Sequence, residues 1–201
     1  MKILGLCGGS GSGKGYVASI FLSRSIVSID TDVIYRELVS GPGACMSELV
    51  AAFGEQIATS DGALDRAVMR ALVFSGDRAE HNRARLNEIS HRHVLKEVRR
   101  KILEFEKAGA PAVIVDAPLL FESGFDKECD AVICVVAPLE VRLFRLMKRD
   151  GISKEAAISR ISSQLSDEEL MLRSDFVINN CGDDIALMAD IDGVFDFVFG
   201  K

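Results

Sequence analysis

Short, almost continuously apolar segments alternate along this chain with segments whose apolar residues recur every three or four positions. The short segments are rich in β-branched residues, which is typical of parallel strands buried on both faces. The longer segments have the spacing of amphipathic helices. The predicted strands are 2–7, 26–30, 112–116, 131–136 and 176–178. The predicted helices are 14–23, 33–39, 46–53, 65–74, a stretch within 78–107, 139–148, 154–165 and 184–199.

This alternation predicts a single α/β domain over 1–201, a parallel sheet covered by helices on both faces. Segment 33–109 has helical patterns and almost no strand signal, so we expect a helical insertion between the second and third strands. Segment 139–165 predicts a helical hairpin that acts as a lid. Ligands of such sheets bind at the carboxyl ends of the strands. The predicted core comprises about 1–32, 110–138 and 175–201.

A glycine-rich turn separates the first predicted strand from the first predicted helix. The spacing of Gly8, Gly13 and Lys14 is that of a phosphate-binding loop. Glycines let successive backbone N–H groups turn toward a phosphate, and the following helix directs its N-terminus at the same anion. Lys14 would supply positive charge for the outer phosphates. The residues expected to bind ATP here are Gly9, Ser10, Gly11, Ser12, Gly13, Lys14, Gly15 and Tyr16.

The position after Lys14 departs from the usual loop. It normally carries Ser or Thr, whose hydroxyl ligates Mg²⁺, whereas this chain has Gly15 followed by Tyr16. Because Mg²⁺ keeps several waters, we expect it to be held by nucleotide oxygens, waters and carboxylates elsewhere. A glycine at this position also resembles the loop of adenylate kinases, although Tyr16 does not match the Thr that follows there.

Carboxylates follow two of the predicted strands. Asp30 and Asp32 stand at the end of the second strand, where one could orient an acceptor hydroxyl and the other could hold Mg²⁺. The alternative is that either residue caps the next helix. Asp116 ends an apolar strand, a pattern that often orients Mg²⁺. Pro118 and Leu119 follow it and either wall a substrate pocket or form an ordinary turn with core side chains.

Basic residues cluster in two predicted helices, and the first cluster comprises Arg142, Arg145, Lys148 and Arg149. Arg142, Arg145 and Arg149 share one helix face, so we expect them to face the crevice from a lid that excludes water and stabilises phosphoryl charge. The alternative is a solvated helix. A solvated face is equally plausible for the second cluster, which comprises Arg92, Lys96, Arg99, Arg100 and Lys101.

Composition limits the classes of partner. The net charge of −6 argues against general nucleic-acid binding, and no apolar run is long enough for a membrane span. We therefore expect a cytoplasmic protein. We also expect a monomer or a weak homo-oligomer. Five scattered cysteines without CxxC spacing indicate buried thiols instead of a zinc site or disulfides.

Taken together, these motifs resemble the dephospho-CoA kinase family over nearly the whole chain. The glycine loop is shared with many kinases, but Asp-x-Asp followed at this distance by Pro-Leu-Leu-Phe-Glu is more specific. The matching segments are 8–14, 29–32 with Arg36, 61–66 with Phe74, His91, 118–122, 145–150, Arg160 with Gln164, and 177–182.

The resemblance implies a P-loop kinase fold and phosphorylation of the ribose 3′-hydroxyl of dephospho-CoA by ATP with Mg²⁺. The implied catalytic residues are Asp32, as the base, with Lys14 and Arg145. Arg145, Arg149 and Asn180 would bind ATP, with Asn180 near the adenine. Asp30 would support that base or hold the metal, and Asp116, from its position at the strand end, is the other expected metal ligand. The expected acceptor-binding residues are Asp32, Arg36, Arg66, His91, Pro118 and Leu119. His91 could equally be a structural residue that forms hydrogen bonds.

Two departures from the family pattern keep alternatives open. Gly15 and Tyr16 stand where the family has Ser and Thr, and Arg92 stands where a Pro usually follows the family's histidine. Gly15 also suggests a nucleoside- or nucleotide-monophosphate kinase. The missing hydroxyl suggests a nucleotide-binding protein with impaired catalysis.

Overall fold

Five strands form one sheet in the computed structural model, which describes residues 1–200. The order across the sheet is second, third, first, fourth, fifth. Leu6 on the first strand lies beside Asp116 on one neighbour and Ile133 on the other, with parallel pairing on both sides. The predicted strands are confirmed to within one residue at each end. They are β1 (Lys2–Cys7), β2 (Val27–Asp30), β3 (Ala112–Asp116), β4 (Ala131–Val136) and β5 (Phe176–Asn179).

Nine α-helices accompany the sheet in residues 1–200, and eight of them match predicted helices with small shifts at their ends. Two short 3-10 helices span Glu55–Ile57 and Phe125–Glu128. The helices are α1 (Lys14–Ser23), α2 (Thr31–Leu38), α3 (Ala44–Phe53), α4 (Arg66–Phe74), α5 (Ala79–Lys107), α6 (Leu139–Asp150), α7 (Lys154–Ser162), α8 (Asp167–Leu172) and α9 (Asp184–Phe199).

Helix α8 was not predicted. It begins with a capping box, in which the Ser166 hydroxyl accepts the Glu169 N–H and the Glu169 carboxylate accepts the Ser166 N–H. This pair of residues is a recognised start signal for a helix. The predicted helix 154–165 is correspondingly too long, because α7 ends at Ser162 and the chain turns before α8.

The described chain divides into two compact units. One consists of 1–29 with 103–200, and the other is Asp30–Ile102. The second unit corresponds closely to the predicted insertion, 33–109. A single domain over the whole chain stays a prediction.

The first unit contains the main sheet, with helices on both faces. Leu4 and Leu6 of β1 are fully buried, and they join a core with Phe21 of α1 and Ile191 of α9. Successive strand residues face opposite sides, and at Gly5 the opposite face approaches Leu120. The 3-10 helix Phe125–Glu128 contacts β1, and α8 contacts β4. Each fully buried large apolar side chain contributes about 1.5–3 kcal/mol to the free energy of folding.

The second unit is helical and has its own apolar core around Leu49, Ile57 and Ile89. Asp65 caps α4 by accepting the N–H groups of the next turn, an interaction that stabilises a helix by about 1 kcal/mol. Because Asp65 is the cap, α4 begins at Arg66, one residue after the start of the predicted helix 65–74.

The basic cluster on α5 is mostly exposed, and two of its members form ion pairs. His93 Nε2 lies 2.8 Å from Glu48 Oε2 on α3, and Arg92 also pairs with Glu48. The His93 ring, and then Arg92, lower the pKa of the Glu48 carboxyl. Arg100 pairs in the same way with Glu97, one turn away. These contacts favour the solvated-face interpretation at Arg92 and Arg100.

The predicted buried thiols are only partly confirmed. All five cysteines are free, and Cys7, Cys45 and Cys134 are buried. Cys129 is partly exposed and Cys181 is exposed, because Cys181 lies in the turn after β5, outside the sheet. Among residues 1–200, no helix is both long and apolar enough to cross a lipid bilayer.

Candidate phosphate-binding and catalytic site

The turn between β1 and α1 has the backbone of a phosphate loop. Gly11 and Gly13 have φ of 82° and 93°, the left-handed region in which only glycine is unstrained. A Cβ on Gly13 would also clash with the side-chain amide of Asn180, and one on Gly8 with the carbonyl oxygen of Val135. The glycines are therefore required by the backbone conformation and by close neighbours.

Arg145 and Asn180 donate hydrogen bonds to carbonyl oxygens of this loop. Arg145 Nη1 donates to the carbonyls of Gly11, at 3.3 Å, and Ser12, at 3.0 Å, and Nη2 donates to the Asn180 carbonyl at 3.1 Å. Asn180 Nδ2 donates to the same Ser12 carbonyl at 2.8 Å. The Tyr16 N–H donates to the Gly13 carbonyl at 3.0 Å. Because an α-helix leaves most of its first N–H groups without intrahelical partners, the start of α1 can donate to a bound phosphate.

A cleft of about 570 Å³ lies beside the loop, within the usual size range of ligand pockets. Four of its lining side chains are cations, which suits a ligand with several negative charges. Of the predicted ATP-binding residues, Ser10, Tyr16 and Asn180 are not part of the lining formed by the described residues. The lining consists of Gly9, Gly11, Ser12, Gly13, Lys14, Gly15, Phe144, Arg145, Lys148 and Arg149. Phe144 was not predicted to line the site. Lys148 belongs to the basic cluster of the predicted lid, but it was not among the predicted ATP-binding residues.

Lys14 and Asp116 meet at the carboxyl ends of two neighbouring strands. Lys14 Nζ lies 3.8 Å from Asp116 Oδ1, and the side chains are 16% and 17% exposed. Residues 1–200 hold no cluster of three or more His, Cys, Asp or Glu that could bind a metal. A single carboxylate beside the phosphate loop fits Mg²⁺, which keeps most of its ligands as waters and phosphate oxygens.

Gly15 is exposed in the first turn of α1. A Cβ there would meet nothing within 4 Å in the described part of the chain apart from its sequence neighbours. The absence of a Ser or Thr hydroxyl is therefore not a consequence of steric crowding.

The second unit carries Asp30 and Asp32 at the start of α2. Asp30 Oδ1 accepts the Val33 N–H at 2.9 Å, so this residue is a helix cap, the alternative that the sequence left open. Because the helix begins at this cap, α2 starts at Thr31, two residues before the predicted start. Asp32 is exposed in the first turn, and Arg36 Nε donates to its carbonyl oxygen at 3.1 Å. A metal-binding role for Asp30 stays a prediction.

The predicted acceptor-binding residues are divided between the two units. Asp32, Arg36, Arg66 and His91 belong to Asp30–Ile102, where Arg66 is exposed at the start of α4 and His91 is partly buried on α5. Pro118 and Leu119 belong to the other unit and follow β3, with Leu119 exposed. Their common role in binding the acceptor stays a prediction.

The predicted lid hairpin exists as two packed helices. Leu143 and Leu146 of α6 form a small apolar cluster with Ala157 of α7. At the turn, Arg149 Nε and Arg160 Nη1 donate to Asp150 at 2.7 Å and 2.5 Å. These hydrogen bonds, that of Arg149 foremost, lower the pKa of Asp150 to about 2. Closure of this hairpin over a ligand stays a prediction.

Arg142 does not face the cleft, contrary to its prediction. Its side chain is 4% exposed, and Nη1 donates to the two carboxylate oxygens of Asp167 at 2.6 Å and 2.7 Å. Its Nε donates to the Ser10 carbonyl at 2.9 Å. The three-residue spacing correctly predicts that Arg142 shares a helix face with Arg145. It does not predict that Arg142 pairs with Asp167 on α8. The capping box at Ser166 was the signal that could have placed Asp167 on a helix.

Solved structures share this fold. TT1252 from Thermus thermophilus superposes with a TM-score of 0.81 and 31% identity over 96% of both chains. Dephospho-CoA kinase from Campylobacter jejuni (TM-score 0.70, 23% identity, 98% of both chains) and shikimate kinase from Bacteroides thetaiotaomicron (0.56, 15%, 98% of both) show the same fold. Sheet, phosphate loop and cationic cleft define a protein of the P-loop kinase fold.

Comparison with sequence relatives shows to which family of P-loop kinases the chain belongs. The family model for dephospho-CoA kinase matches residues 2–185. A dephospho-CoA kinase from Bacillus cereus is 41% identical over 180 residues, covering 90% of this chain and 88% of the relative. One from Syntrophotalea carbinolica is 38% identical over 182 residues, covering 90% and 85%. The chain belongs to the dephospho-CoA kinase family. It is therefore an enzyme of coenzyme A biosynthesis, an ATP-dependent kinase of dephospho-CoA.

Proposed function

We propose that the cleft beside the phosphate loop binds the phosphates of ATP and directs the γ-phosphoryl group to the ribose 3′-hydroxyl of dephospho-CoA. The products are coenzyme A and ADP. The observation that carries this proposal is the convergence of Lys14, Arg145 and Arg149 on a glycine-lined cleft. Phosphoryl transfer depends mainly on positioning and on stabilising charge, which is what this arrangement supplies.

Lys14 and Arg145 are the proposed electrostatic catalysts. Lys14 projects from the first turn of α1 and would contact the outer phosphates. Arg145 is already oriented by the loop carbonyls and by Asn180, so little reorganisation would be needed when charge spreads over the transferred group. Arg149 is held by Asp150 at the edge of the cleft and would reach the nucleotide from there. Asn180 would lie toward the adenine.

Asp32 is the proposed base. Its carboxylate would accept the proton of the 3′-hydroxyl as the oxygen attacks the γ-phosphorus in line and ADP leaves. The support is its exposed position in the first turn of α2, one turn from Arg36. The proposed acceptor-binding residues are Arg36, Arg66, His91, Pro118 and Leu119.

Mg²⁺ is the proposed cofactor, and Asp116 is the residue best suited to hold it, with Asp30 as a second ligand. When bound, the ion would neutralise charge on the phosphate oxygens. The partly buried position of Asp116 beside Lys14 supports this assignment. The cap that Asp30 forms uses one carboxylate oxygen.

The test is ADP release by the purified protein with ATP and Mg²⁺, with and without dephospho-CoA. AMP, CMP and uridine serve as comparison acceptors, and the product is identified by mass. We expect release that only dephospho-CoA stimulates, with coenzyme A as product. Stimulation by AMP or CMP would contradict the proposal and favour a nucleotide kinase. Nucleotide binding without acceptor-dependent release would favour impaired catalysis, the alternative suggested by Gly15.

We also propose that the protein works in the cytoplasm, without a nucleic-acid partner, as a monomer or weak homo-oligomer. The five free thiols support a reducing compartment. The net charge of −6 opposes binding to nucleic acid.

A further inference from the structure

We infer that Gln164, Arg142 and Asp167 form a bracket that holds the backbone of Ser10 in the phosphate loop, and that they are positioning residues for nucleotide binding. Gln164 Oε1 accepts the Ser10 N–H at 2.8 Å. Arg142 Nε donates to the Ser10 carbonyl at 2.9 Å. Both polar groups of one loop residue are therefore held by side chains more than 100 positions away in sequence.

Arg142 is itself held from two sides. Its guanidinium donates to both carboxylate oxygens of Asp167, at the start of α8. It also fills the space beside Gly9, where a Cβ would clash with Nη2. A buried guanidinium needs this degree of pairing, and charge-assisted hydrogen bonds of this kind are strong and directional. The bracket is thus a rigid support.

None of the three bracket residues is part of the cleft lining formed by the described residues. Gly9 and Gly11 line the cleft, whereas Ser10 between them is not part of the lining formed by the described residues. Because Gln164 takes the Ser10 N–H, this amide is directed away from the cleft. Glycine-rich backbone has many accessible conformations, so an external restraint is needed to keep the cradle in one shape before the nucleotide arrives.

Segment 164–174, which supplies Gln164 and Asp167, also contacts β1 and the turn after β3. Ser174 Oγ lies 3.7 Å from Cys7 Sγ, on the last residue of β1 before the loop. The Arg173 guanidinium lies 4.1 Å from the ring centroid of Phe121, in the turn after β3. Residues 164–174 therefore contact the phosphate loop, the end of β1 and the turn after β3. These contacts can restrain the conformation of the loop.

The inference rests on the proposed function, since it assumes that the loop binds nucleotide. It is tested with direct ADP binding by calorimetry, together with KM and kcat for both substrates. Gln164→Leu removes the acceptor oxygen, and Gln164→Glu retains one. We expect Gln164→Leu to weaken ADP binding and to raise KM for ATP about fivefold to tenfold, the value of about one hydrogen bond. KM for dephospho-CoA should be unchanged.

Rescue and controls separate positioning from a general structural role. Gln164→Glu should recover most of the ADP affinity, and the Ser10 amide proton should exchange faster with solvent only in Gln164→Leu. Glu168→Leu, at an exposed neighbouring position, should match the wild type. Asp167→Asn should reproduce the ADP defect, with its melting temperature measured beside it.

Unchanged or tighter ADP binding by Gln164→Leu would overturn the inference, because the glutamine would then be dispensable or would mask the Ser10 amide. An equal rise in KM for both substrates in every variant would also overturn it. Failure of the wild type to bind ADP would instead contradict the proposed function.

Discussion

Lys14 Nζ lies 3.8 Å from Oδ1 of Asp116, across the neighbouring ends of β1 and β3. The pair forms where a glycine loop begins a helix and an apolar strand ends in a carboxylate. Two residues separated by about half the chain thereby place opposite charges side by side next to the phosphate loop. In the proposed function, Lys14 contacts the phosphates and Asp116 holds Mg²⁺.

Replacing Lys14 should remove transition-state charge stabilisation. We expect Lys14→Met to lower kcat/KM for ATP by about 100-fold to 1000-fold, the range seen when one electrostatic contact to developing charge is lost. Steady-state kinetics over a series of ATP concentrations measure this. Lys127→Met, at an exposed position in the same unit, is the matched control and should be near wild type. A loss below threefold would exclude Lys14 from catalysis.

Introducing a hydroxyl at position 15 should lower the Mg²⁺ concentration that the enzyme needs. A Cβ fits there, so Gly15→Ser should fold normally and reach half-maximal activity at a lower Mg²⁺ concentration. Gly15→Ala is the control, because Ala, like Ser, has a higher helix propensity than Gly but adds no hydroxyl. If the two variants show the same Mg²⁺ dependence, the hydroxyl has no role in this loop.

Replacing Asp32 should slow the chemical step without weakening ATP binding. Asp32→Asn keeps the shape of the side chain but removes the base, so we expect kcat to fall about 100-fold to 10,000-fold, with KM for ATP nearly constant. Glu37→Gln, exposed on the same helix, is the control. Single-turnover measurements identify the affected step. Wild-type turnover by Asp32→Asn would mean that another group accepts the proton.

The lid turn should lose stability in acid. Asp150 has a pKa of about 2, below the 3.8 expected without its arginine partners. Because the folded-state pKa is lowered, the carboxylate's contribution is present above pH 4 and is lost as the pH falls toward 2. Asp150→Asn removes this contribution at every pH.

Melting temperatures between pH 7 and pH 2 measure this effect. The difference between wild type and Asp150→Asn should shrink as the pH falls from 4 to 2, whereas Glu168→Gln should follow the wild type throughout. A constant difference over the whole range would show that Asp150 is not ionised in this pairing.

Local patterns predicted most of the fold. The β-branched runs identified all five strands, and the three-to-four spacing identified every helix except α8. Helix ends were less accurate where a cap decided them, as at Asp30 and Asp65, because one side-chain hydrogen bond moves the start of a helix by one or two residues.

The sequence by itself determined the strands, every helix except α8 and the phosphate loop, because periodicity and glycine spacing are local properties of the chain. The motifs that the chain shares with dephospho-CoA kinases indicated the family. Only the tertiary structure decided which charges meet. Spacing gave Arg142 and Arg145 the same helix face, yet Arg142 is buried against Asp167 while Arg145 lines the cleft. Such choices depend on partners and burial that arise only when distant segments pack together.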